Sequence, residues 1–72
     1  MTKVPDAWIE LIIDTVDGRL RAHVSHNEEL ANRSTYQEVY SGMIASKEVA
    51  EQIAMHAAAA QGYREYRIQD RT

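Results

Sequence analysis

Strand-forming residues dominate the chain from Ala7 to Val16, where apolar positions recur at every second residue. Asp17-Gly18 follows, a pair suited to a two-residue turn with positive φ at both positions. A loop of that length sets Val16 opposite Arg19, Asp14 opposite Arg21, Ile12 opposite His23 and Leu11 opposite Val24. One face of the hairpin then collects Ile9, Leu11, Ile13, Leu20, Ala22 and Val24, all apolar. The other face carries Trp8, Glu10, Ile12, Asp14, Val16 and His23, with Asp14 and Arg21 as a cross-strand pair of opposite charge. Slipping the register by one residue would undo this sorting, so the pattern predicts a β-hairpin over residues 7–26.

A different period governs residues 46–61. Ser46 suits an N-cap, Glu48 lies in the first turn where the helix dipole favours a carboxylate, and Gly62 is placed to end the helix. Val49, Ala50, Ile53, Ala57 and Ala60 form one stripe at helical spacing, with Lys47, Glu48, Glu51, Met55 and Ala59 on the other side. The small residues of Ala57–Ala60 allow close approach to a sheet. Beyond Gly62, Tyr66 and Ile68 alternate with Glu65 and Arg67, which predicts a strand over 63–69.

Residues 27–45 fit no single template. A turn at His26-Asn27-Glu28 followed by a strand over about 29–35 is preferred, and then an irregular or extended stretch carrying Tyr36, Val39, Tyr40, Met43 and Ile44. The alternatives are a helix opened by Asn27, or a short helix over Tyr36–Ser41 opened by the capping-box spacing Thr35-x-x-Glu38 and stopped at Gly42. The whole reads as one α+β domain. A small antiparallel sheet, the hairpin plus one or two further strands, packs on one helix in the order ββ(β)αβ. Pro5 marks the end of an N-terminal tail, residues 1–6.

That order of elements, with Asn27, Glu29, Leu30, Ala31, Tyr40, Ser46 and Lys47, resembles the YegP-type small domains of unknown function. The resemblance covers most of the chain in layout and implies the ββ(β)αβ architecture. It brings no catalytic residues. Glu28 stands where those domains have glycine, and Gly42–Ala45 separate the tyrosine from the helix cap.

Size makes stability a problem. A 72-residue chain buries only about 60–65% of its unfolded surface, and a core of that size supplies about 3–5 kcal/mol. There is no cysteine to form a disulfide, and three scattered histidines are a poor zinc set. Self-association, as a homodimer, is the remaining staple, against an ordinary monomer. No segment approaches the ~20 apolar residues of a membrane span. The start of the chain lacks the apolar region of a signal peptide. A cytoplasmic location is the expectation. The formal net charge of −3 argues against a nucleic-acid binder.

Candidate chemistry is sparse. His23 and His26, three apart on a strand, point to opposite faces and do not share a metal. His56 borders the helix's apolar stripe. No serine or threonine has a histidine and an acid in a recognised arrangement. The three glycines occupy turn and cap positions, so no phosphate-cradling loop is expected. The sequence therefore predicts no enzyme, no cofactor and no metal. It points to a protein-binding surface comprising Trp8, Ile12, His23, Tyr36, Tyr40, Glu28, Glu29 and Glu38, since aromatic anchors dominate interface energetics. Either that surface is open or the chain's own helix or residues 36–44 cover it. Two functions follow: a small inhibitor of a phage or mobile element, anti-CRISPR-like, that occupies a host protein's surface, or a self-associating housekeeping or stress domain. A nucleic-acid reading would need Arg19, Arg21, Arg64 and Arg67 on one face.

Overall fold

The computed structural model describes residues 6–72, so the predicted tail lies outside the described residues except for Asp6. Strands β1 (Asp6–Val16) and β2 (Arg19–Leu30) pair antiparallel around Asp17-Gly18, whose φ angles are +52° and +75°. The register is the one that the hydrophobic sorting requires, with Leu11 opposite Val24 and Asp14 opposite Arg21. Ile9, Leu11, Ile13, Ala22 and Val24 are fully buried, and Leu20 packs at their margin.

The middle of the chain corrects the sequence reading. There is no turn at His26-Asn27-Glu28: β2 runs on to Leu30, and β1 stays paired with it as far as Asp6 opposite Glu29. The chain turns instead at Ala31-Asn32 and returns as β3 (Arg33–Met43), paired along the length of β2. Residues 36–43 are therefore strand, the extended form of the expected irregular or extended stretch, and not the helix that Thr35-x-x-Glu38 suggested. Two physical causes hid this. Neither Ala31 nor Asn32 adopts positive φ, so no glycine marks the turn. A β-bulge also interrupts β3: Tyr40 pairs with Val24 and Glu38 with Ser25, which leaves Val39 as the extra residue. The alternation changes phase there, so no single period fits residues 36–44.

Helix α1 (Lys47–Ala60) is capped as expected, the Ser46 Oγ accepting the Val49 N–H at 3.3 Å. At its other end Gly62, at φ +80°, donates to the Ala59 carbonyl and Tyr63 donates to the Ala58 carbonyl, the paired bonds of a Schellman motif. The buried stripe is Ala50, Ala54 and Ala58, one per turn, flanked by Ile53 and Ala57. It is rotated from the predicted one, leaving Val49 and Ala60 exposed. Alanine at the contact line brings the backbone close to the sheet, and the larger Val49 and Ile53 lie toward β3.

Strand β4 (Arg67–Asp70) is shorter than predicted and runs parallel to β1, with Leu11 opposite Ile68. The sheet order is β3-β2-β1-β4, a mixed sheet rather than a purely antiparallel one. A helix between β3 and β4 is the crossover that a parallel neighbour requires. Because those strands are the two edges, the crossover spans the sheet, and α1 packs over the central β1 and β2. The Lys47 Nζ donates to the Asp70 carboxylate at 2.9 Å, tying the first turn of α1 to β4.

Candidate interaction surface: the open face of the sheet

With its one helix on one side, the sheet has a second face that no element among the described residues covers. Strand pairing arranges that face in rows. Trp8 of β1, Asn27 of β2 and Tyr36 of β3 form one. The next runs Arg67, Glu10, Ser25, Glu38, and a third runs Gln69, Ile12, His23, Ser41. Asp14, Arg21 and Met43 complete the set.

Short polar contacts fix much of this surface. Arg21 grips Asp14 through two bonds, 3.0 and 2.8 Å, and the Arg21 guanidinium holds the Asp14 carboxyl below the usual carboxylate range. His23 Nδ1 and the Ser41 hydroxyl share a 3.1 Å hydrogen bond. Asn27 Nδ2 donates to the Ser25 Oγ at 2.9 Å, and Ser25 is the one buried polar residue among those described. Apolar area remains in view: Trp8 and Ile12 are half-buried, while Tyr36 is 65% exposed and Met43 46%.

Of the residues that the sequence singled out, Trp8, Ile12, His23, Glu29, Tyr36 and Glu38 share this face. Two do not. Glu28 alternates to the opposite side, where it is exposed. Tyr40, displaced by the bulge, packs on the helix-side core instead. Its ring lies over Gly42, where a Cβ would stand 3.2 Å from the hydroxyl, and that hydroxyl donates to the Met43 carbonyl at 3.0 Å.

The sequence reading missed what surrounds Trp8. The parallel register of β4 brings Arg67 onto this face, and its guanidinium lies over the indole, 4.1 Å from the ring centroid. A shallow cleft of about 380 Å³ opens between Ala7 and Trp8 on one side and residues 63–67 on the other. Two tyrosines pin that connection. The Tyr63 hydroxyl shares a 2.8 Å hydrogen bond with His26 Nε2 on β2. Tyr66 donates to the Glu51 carboxylate on α1 at 3.1 Å, and burial, then Glu51, pushes its phenol up. The Trp8 Nε1–H is buried and has no acceptor among the described residues. Such an unmade bond costs about 1–3 kcal/mol. Only the parallel placement of β4, which composition does not signal, would have revealed Arg67.

Across the sheet, Val39, Val49, Ile53, His56 and Ala57 line an apolar groove of about 470 Å³ between β3 and α1. Among the described residues, no group of three or more His, Asp or Glu is placed to hold a metal ion, and no helix is long and apolar enough to cross a membrane. Comparison with protein-family models, curated proteins and solved structures finds no match.

Proposed function

We propose that the protein is a non-enzymatic interaction module that docks on another protein through the open face of its sheet. This is the mode of action of a small phage or mobile-element inhibitor that occupies a host protein's surface, anti-CRISPR-like. The observation that carries the reading is the uncovered face itself. It sets Trp8 and Ile12 of β1 and Tyr36 and Met43 of β3 among hydrogen-bonded polar groups on a four-stranded sheet. Aromatic anchors on a preorganised surface give affinity at little ordering cost. Capture from a bacterial lysate tests it: wild type retains a partner, and a folded Trp8→Ala/Ile12→Ala variant loses it. Equal recovery by both removes the assignment.

A separate observation favours a second reading, self-association in a YegP-like housekeeping or stress domain. Strand β3 is a free edge of 11 residues, with Val39 half-exposed beside the α1 groove. Free edges are templates for pairing with another chain, although the bulge at Val39 and the charge of Glu38 work against it. Sedimentation at several concentrations separates the readings: a tight dimer supports the second, a monomer the first.

A further inference from the structure

The cleft beside Trp8 collects two cationic groups that no carboxylate among the described residues pairs. Arg64 and Arg67 both line it, and among the described residues neither lies within ion-pair distance of a carboxylate, whereas Arg21 and Lys47 are paired. We propose that this cleft binds a carboxylate side chain carried by an acidic segment of the protein partner. Arg64 and Arg67 are the ion-pairing groups, and the Trp8 indole is the wall that receives the segment's aliphatic stem. The inference deepens the interaction-module reading and rests on it.

Three features argue for this ligand chemistry. A guanidinium stacked on an indole keeps its N–H edge free, and that edge matches a carboxylate through two parallel bonds. The Trp8 Nε1–H is buried without an acceptor among the described residues, so the wall of the cleft holds a donor that the fold leaves unmet. The segment that carries Arg64 is held at both ends by the Tyr63–His26 and Tyr66–Glu51 bonds, and Arg67 rests on Trp8, so the backbone bearing Arg64 and the guanidinium of Arg67 are placed before the ligand arrives. The neighbouring acids set the size of the anion. Glu65 lines the same cleft, and Glu10 and Glu38 stand in the adjacent row of the open face. They repel a polyanion such as a nucleic acid and leave room for an isolated carboxylate.

Trp8 is the only tryptophan in the chain, so its fluorescence reads the site directly. The probes are an end-blocked hexapeptide containing two glutamates, its glutamine counterpart, inorganic phosphate and a short single-stranded oligonucleotide. The glutamate peptide is expected to give a saturable change in Trp8 emission. Loss of one desolvated ion pair should weaken the glutamine peptide, and the Arg64→Gln variant with the glutamate peptide, by about tenfold each. Arg67→Gln alters the fluorophore's surroundings, so calorimetry reads that variant, with Arg67→Lys recovering part of the affinity. An equal response to the glutamine peptide, to phosphate or to the oligonucleotide overturns the inference, as does unchanged affinity in the Arg64→Gln/Arg67→Gln pair. If both arginine variants still capture a partner that Trp8→Ala/Ile12→Ala loses, the docking face stands and the carboxylate site falls.

Discussion

The guanidinium of Arg67 lies on the indole of Trp8, 4.1 Å from the ring centroid, and joins the shortest strand of the sheet to a central one. The stack shields the indole and contributes about 0.5–1 kcal/mol at a partly exposed site. Arg67→Ala should therefore shift Trp8 emission to longer wavelength and lower stability by that amount. Fluorescence spectra and urea denaturation measure the two effects on one sample, and an unshifted spectrum would show that Arg67 does not cover the ring.

Two aspartates make the fold sensitive to acid. Hydrogen bonds from Thr72, then from Lys47, hold the Asp70 carboxyl down to about 2, and Arg21 lowers that of Asp14. A carboxyl with a folded-state pKa below its unfolded one stabilises the fold above the unfolded value and loses that contribution as pH falls through the folded one. The thermal midpoint should thus fall between about pH 4 and pH 2. It should fall less steeply in Asp70→Asn and in Asp14→Asn, each compared with wild type by calorimetry across that range.

The alanine stripe of α1 is a packing requirement. Ala54 is fully buried against the sheet, so Ala54→Leu should cost about 1–3 kcal/mol through overpacking. Leu11→Ala, which opens a cavity on the other side of the same contact, should cost about 2–5 kcal/mol. In a chain this small the second change is expected to leave a largely unfolded population at 25 °C, visible in far-ultraviolet circular dichroism.

Gly18 separates backbone strain from crowding. It sits at φ +75°, and a Cβ there would meet nothing within 4 Å. Gly18→Ala should still destabilise by about 1–2 kcal/mol, because an L side chain resists the left-handed conformation. A neutral result in denaturant titration would mean that the turn relaxes to another type.

How far the residues disclosed the fold depends on which strands are buried. β1 and β2 carry a buried face, so Leu11, Ile13, Ala22 and Val24 wrote their register into the order of residues. β3 is an edge strand exposed on most of its length, and its bulge at Val39 reverses the alternation midway, so Tyr40 was assigned to a surface it does not reach. The turn at Ala31-Asn32 uses neither glycine nor positive φ and leaves no mark to read. On the candidate face, Trp8, Ile12 and His23 were legible from the hairpin alone. Arg67 was not, because its place depends on the parallel pairing of β4 across a helix, and neither was the cleft that Arg64 lines in the connection before that strand.

Capture of one partner by three folded proteins tests the docking face most directly: wild type, the open-face variant Trp8→Ala/Ile12→Ala, and the helix-side variant Val49→Ala/His56→Ala, whose residues line the groove between β3 and α1. Circular dichroism establishes beforehand that all three are equally folded. Recovery should persist with the helix-side variant and be lost with the open-face one. Loss with the helix-side variant and retention with the open-face one would contradict docking through the sheet and move the functional surface to the groove beside α1.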